Sequence, residues 1–137
     1  MEIDTSGQLK PQEELVIKST TIIKIENLGI NINSNLPELR PTISPDGKTL
    51  FFICENHPAN TKYKSVPNSQ DIWFSEKDSL GRWSEAVHME YPLNTIHYNT
   101  VFAISPDNNR LLIRGAFKEG AYLGKGVSIS TLKKNGQ

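Results

Sequence analysis

Short apolar stretches with polar positions interleaved run the length of the chain, separated by clusters of turn formers. The stretches are residues 20–27, 39–43, 49–55, 71–77, 83–90, 100–104, 110–115 and 126–132, each rich in β-branched or aromatic side chains. Val127, Ile129 and Thr131 alternate with a period of two, which fits a strand with one buried face. No window of about eleven residues or more carries the i, i+3, i+4, i+7 spacing of an amphipathic helix. The best helix start, 11–18 (PQEELVIK), is too short to hold by itself. Asn (12), Ser (12), Gly (9) and Pro (8) fill 41 of the 137 positions and fall mainly between the stretches, where they serve as turns. The pattern predicts an all-β, antiparallel fold.

An internal repeat organises these strands. Residues 43–52 (ISPDGKTLFF) recur as 104–113 (ISPDNNRLLI) at an offset of 61, and Ile32-Asn33-Ser34 recurs as Leu93-Asn94-Thr95 at the same offset. Downstream, 71–75 (DIWFS) matches 126–130 (GVSIS), and Gly81-Arg82 matches Gly136-Gln137, both at an offset of 55. The difference of six falls in one loop, 56–70, longer in the first copy. Each Ser-Pro-Asp block reads as a hairpin turn. Proline presets φ near −65°, the aspartate accepts nearby backbone N–H groups, and the next residue must tolerate a left-handed backbone, freely for Gly47 and adequately for Asn108. One copy therefore predicts four antiparallel strands. Residues 120–126 (GAYLGKG) lack the order of a phosphate-binding loop and read as a flexible hairpin connection.

Ile32-Asn33, Glu38-x-x-Pro41, the block from Ile43 to Phe52, Asp71 to Ser75 and Gly81-Arg82-Trp83-Ser84 occur here in the order of a known repeat. Over residues 28–137 the chain resembles the WD40-like PD40 repeats of TolB-like β-propellers, in the version found in bacterial envelope proteins with OmpA-like C-terminal domains. The resemblance implies four-stranded blades of a propeller, about two of them, as part of a larger propeller. It divides the chain into an extension (1–19) and a propeller segment (20–137). Within the segment, 20–30 is the outer strand of a preceding blade, 31–92 the first blade, and 93–137 an incomplete second. It makes Pro41, Ser44, Pro45, Asp46, Gly47, Asp71, Trp73, Gly81, Trp83, Ser105, Pro106 and Asp107 structural motif residues. The second copy departs from the pattern. It lacks the Glu-x-x-Pro pair and has Asn108 for Gly47 and Gly126 for Asp71.

Charge and composition narrow the function classes. With 15 basic and 15 acidic residues interspersed, the chain generates no field that would gather phosphates, so neither nucleic acid nor an anionic membrane is the expected partner. A single Cys54 forms no intrachain disulfide and reads as a buried structural thiol. His57, His88 and His97 lack metal-ligand spacing and read as loop or surface residues; no metal or cofactor is expected. Glu38, Asp46, Asp71 and Asp107 could be imagined as a glycosidase pair, but Asp46 and Asp107 belong to turns, and Glu38 and Asp71 read as hydrogen-bonding members of a blade. Tyr63, flanked by Lys62 and Lys64 in the long loop, is the expected ligand contact, whereas Trp73 and Trp83 read as packing residues. Residues 1–10 contain Glu2 and Asp4 and lack an apolar signal core, and no apolar run approaches the ~18 residues of a membrane span.

The expected function is a non-catalytic binding or scaffolding module of the periplasm or cell envelope. Its partners would be proteins or peptidoglycan-associated complexes, together with further blades from a parent chain or a homo-oligomer. Two other classes fit a propeller: the propeller domain of a prolyl-oligopeptidase-like hydrolase, and a lectin-like oligomer of two-blade chains.

Overall fold

The computed structural model describes residues 24–62 and 65–132. These residues form seven strands and no helix: β1 (Glu38–Ile43), β2 (Thr49–Glu55), β3 (Gln70–Glu76), β4 (Val87–His88), β5 (Val101–Ile104), β6 (Arg110–Lys118) and β7 (Ala121–Thr131). They make two antiparallel sheets in meander order, β1-β2-β3-β4 and β5-β6-β7, neither closed on itself.

Strand register reproduces the repeat. Leu50 pairs with Ser75 and Phe51 with Phe74 in the first sheet. Leu111 pairs with Ser130 and Leu112 with Ile129 in the second. Both sheets break register at the same place, between Leu39 and Thr42 and between Val101 and Ala103. Pro41 lies in the first of these bulges, on an edge strand, where a residue with no N–H does least harm to the ladder.

The Ser-Pro-Asp turns are superimposable in their hydrogen bonds. Ser44 Oγ donates to Asp46 Oδ1 at 2.5 Å and accepts Thr49 N–H at 2.9 Å, while Lys48 N–H donates to the same carboxylate oxygen at 3.0 Å. Ser105, Asp107, Asn109 and Arg110 repeat this set. Gly47 and Asn108 both carry the positive φ, at 70° and 57°. Asn108 Nδ2 donates to Asp46 Oδ2 at 3.0 Å and ties one turn to the other. Beyond β3, Asp78 organises a third tight turn by accepting the Leu80 and Arg82 amides, with Gly81 at φ 76°.

Alternation on β2 divides the core. Leu50, Phe52 and Cys54 share one face with Trp73 and are covered by Ile32, Leu36, Trp83 and Ala86. The opposite face brings Ile72, with Phe51 beside it, against Val101, Ile113, Ile104 and Leu111 of the second sheet. Thr42 Oγ1 donates to the Val101 carbonyl at 3.0 Å and adds a polar tie across the seam.

Four expectations need correction. Of the predicted strand at 20–27, residues 24–27 form none, and 20–23 lie outside the described residues. Gly29 starts a turn there, accepting the amides of Ile32 and Asn33, and the first sheet begins at Glu38. The predicted strand 83–90 shrinks to Val87–His88 plus a bridge between Lys77 and Trp83. Between them one backbone bond remains, Ser84 N–H to the Glu76 carbonyl at 2.8 Å, and serine hydroxyls supply the rest: Ser75 Oγ donates to the Ser84 carbonyl at 2.7 Å, and Ser84 Oγ accepts Glu76 N–H at 3.2 Å. Residues 120–126 are not a flexible connection. They belong largely to β7, and the turn is only Glu119–Gly120, with positive φ at both positions as a two-residue hairpin demands. Finally, His88 is neither a loop nor a freely exposed residue, because it lies in β4 and pairs with Asp71. Residues 1–19 and the Gly136-Gln137 match lie outside the described residues.

Candidate functional site

The two sheets meet along a seam whose far end, away from the Ser-Pro-Asp turns, collects the buried polar groups. Asp71 sits at its centre, opposite Cys54 in the ladder and 2% exposed. Its Oδ2 accepts Thr61 N–H at 2.6 Å and Thr61 Oγ1 at 2.8 Å, and lies 2.8 Å from His88 Nε2. Its Oδ1 accepts from Asn99 Nδ2 at 3.1 Å. A carboxylate is acceptor-only, so these contacts fill both oxygens and account for a charge that burial alone would forbid. No buried side-chain N or O among the described residues lacks a partner.

Three buried asparagines complete the frame. Asn60 donates to the Cys54 and Ser69 carbonyls at 2.9 and 3.0 Å and accepts the Trp73 indole at 3.2 Å, stapling the long loop onto β2 and β3. Asn94 extends β4 with its side chain, accepting Ile72 N–H at 2.7 Å and donating to the Ile72 carbonyl at 2.9 Å. Asn99 accepts the amide and hydroxyl of Thr95 and donates to Asp71, joining the second copy to the first. His57 and His88 both lie edge-on to Trp73, with centroids at 4.2 and 5.1 Å. Burial, helped by the neighbouring His88, holds the His57 pKa below its ordinary value.

Over this frame opens a cleft of about 290 Å³. Arg114 of β6, Lys125 of β7 and Lys62 of the long loop line it, and none forms an ion pair among the described residues. Asp71 is the one acid among the lining residues. Its walls include Tyr122 stacked on His97 at 3.9 Å and Tyr98 with the Arg114 guanidinium 5.6 Å above its ring. Gly115 shapes this wall. It occupies a bulge at φ 107°, and a Cβ there would come within 2.7 Å of Phe117 and 2.9 Å of Tyr122. Only glycine lets both rings pack against the strand. The arrangement can hold an anion beside aromatic surface.

A larger cleft, about 650 Å³, lies at the other end of the seam. Phe51, Phe74, Ile104 and Leu111 wall it, with Glu76 and Glu90 as its only charged residues among those described.

Sequence reading located these groups unevenly. Lys62 lines the smaller cleft; Tyr63 and Lys64 lie outside the described residues. Trp73 is buried in the first core cluster and Trp83 packs at its edge. Cys54 is 4% exposed, and desolvation, reinforced by the charge of Glu38, pushes its thiol pKa up to about 11. The motif residues of the Ser-Pro-Asp turns lie at the opposite end from the small cleft. Asn60, Asn99 and Arg114 were missed. The repeat held a signal for Asn99. Ser34 N–H and Oγ donate to Glu38 as Thr95 N–H and Oγ1 do to Asn99, at the offset of 61. No family model matches the chain, and neither a curated protein nor a solved structure matches it.

Proposed function

We propose that the chain is a stacked-sheet scaffold, two units of a PD40-type propeller, that binds partners through the loop end of its seam and does no chemistry itself. One observation carries the stacking. The outer face of the second sheet presents Leu112, Val127 and Ile129, at 37%, 62% and 64% exposure. By the offsets of 61 and 55 these stand where Phe51, Ile72 and Phe74 stand in the first sheet, and Ile72, at 1% exposure, is buried against the second sheet. The side that packs on a following unit in the first copy is thus repeated, uncovered, in the second. Repeat units that contact only their neighbours leave such a face at the last unit.

The polar frame supports the non-catalytic part of the reading. Both Asp71 oxygens are engaged, and among the described residues the partners of His88 are the Asp71 carboxylate and Asn94, with no serine or cysteine hydrogen-bonded to the ring. The resemblance adds the expectation of an envelope setting and of protein or peptidoglycan-associated partners.

Light scattering on a sizing column, with a thermal melt, tests the stacking. The expected result is self-association that Val127→Lys with Ile129→Lys abolishes while the melt is kept. A wild-type monomer whose melting temperature falls sharply on the same substitutions would overturn it, because the face would then belong to the molecule's own core.

A further inference from the structure

We propose that the cleft over Asp71 binds a single sugar ring bearing a carboxylate or phosphate; this rests on the reading of the loop end as the binding face. Three observations converge. Lys62, Arg114 and Lys125 bring three positive charges to one small opening, against one acid whose oxygens are already occupied within the frame. Unlike Arg82, which pairs with Asp78 at 2.8 Å, these three have no carboxylate partner among the described residues. An arginine fork matches the paired oxygens of a carboxylate or phosphate, and lysines add charge without fixing orientation.

The second observation is aromatic surface beside the cations. Tyr98 is 47% exposed, and Tyr122, stacked on His97, forms the neighbouring wall. Such faces accept the C–H side of a sugar ring. Gly115 is the positioning residue for this wall, since any side chain there displaces Tyr122.

The third is size. At about 290 Å³ the cleft lies at the floor of the roughly 300–1,000 Å³ range of small-ligand sites, enough for one ring and not for an extended polymer. The larger cleft provides an internal control, because its only described charges are acidic.

Calorimetric titration of the whole chain with glucuronate and with glucose 6-phosphate tests the assignment, with glucose and inorganic phosphate as controls. Both charged sugars are expected to bind, more weakly as salt rises, and glucose at least tenfold more weakly than either. Arg114→Ala should lower affinity by about 10- to 100-fold with an unchanged melt, as loss of a charge-assisted contact implies. Gly115→Ala should weaken the charged sugars while leaving inorganic phosphate unaffected. Equal binding of glucose, or indifference to Arg114→Ala, would overturn the anion assignment. Inorganic phosphate binding as tightly as the sugar phosphate would overturn the ring. No binding by any probe to a chain that still self-associates through Val127 and Ile129 would overturn the ligand and leave the scaffold standing.

Discussion

The two ends of the seam between the sheets are built from the same repeat, yet they use it differently. At the Ser-Pro-Asp end the copies agree bond for bond. Ser44 and Ser105, Asp46 and Asp107 hold identical turns, and Asn108 bridges them. At the loop end they diverge. The first copy inserts residues 56–69 between its strands, while the second closes with Glu119–Gly120 and lengthens both strands. Asp71 has become Gly126, Glu38 has become Asn99, and Ile53 has become Arg114 across the offsets. Agreement marks residues that make the turn, which both units need alike. Divergence marks residues that meet one another across the seam, and the carboxylate, the cations and the aromatic walls gather there.

Removing Asp71 should break the comparison most severely. Asp71→Ala strands the Thr61 amide, His88 and Asn99 around a buried gap. Breaking a buried charged cluster from one side costs about 3–5 kcal/mol, to be read from the urea midpoint at constant slope. A loss below about 1 kcal/mol would mean that the frame does not hold the two copies together.

Substitutions in the two turns should cost less and should rank by burial. Ser44 is 3% exposed and makes two side-chain bonds, so Ser44→Ala should lower stability by about 1–3 kcal/mol. Ser105 makes the same bonds at a less buried site, and Ser105→Ala should fall near the bottom of that range. The reverse ranking, measured in the same urea series, would show that the turns are not equivalent despite their shared geometry.

These two ends also explain what was legible in the amino-acid pattern. The turns were readable because their bonds are local: Ser44 reaches Asp46 and Thr49, all within one block of sequence. The frame was not, because its bonds span the chain, from Asp71 to Asn99 and from Ile72 to Asn94. Spacing arguments look for ligands on one helix or strand, so they placed His57 and His88 as unrelated loop residues, whereas both converge on Trp73 from separate loops and strands. The long β6–β7 hairpin escaped for a different reason. Its glycines at 120, 124 and 126 read as a break, but only Gly120 turns the chain; Gly126 lies against Ala116, where its missing Cβ relieves a 3.0 Å approach.

Cys54 offers a smaller effect on the same frame, since it pairs with Asp71 in the ladder. Its thiol pKa is raised from 9.0 to about 11, first by burial and then by Glu38. A raised folded-state value means that the native protein resists losing this proton more than the unfolded chain does. The contribution is whole below about pH 9 and disappears as pH rises through about 11. Cys54→Val should flatten this part of the stability curve, and the wild-type thiol should react slowly with thiol reagents at neutral pH until the protein is unfolded.

His57 belongs to the inserted loop and should give the smallest effect, with the opposite sign. Burial, with His88 nearby, lowers its pKa, so the unfolded chain takes up a proton more readily than the native one. Its contribution is complete above the ordinary histidine range, near pH 6.5, and is lost as pH falls through the lower folded value. Acidification from pH 7.5 should therefore lower the melting temperature slightly, and His57→Gln should remove that slope while leaving the alkaline loss at Cys54 untouched. The ring's edge contact with Trp73 is lost in the same variant, so a lower baseline with no acid slope is the expected signature. If the slope persists in His57→Gln, the acid sensitivity resides outside the inserted loop, and the loop covers the frame without being coupled to it.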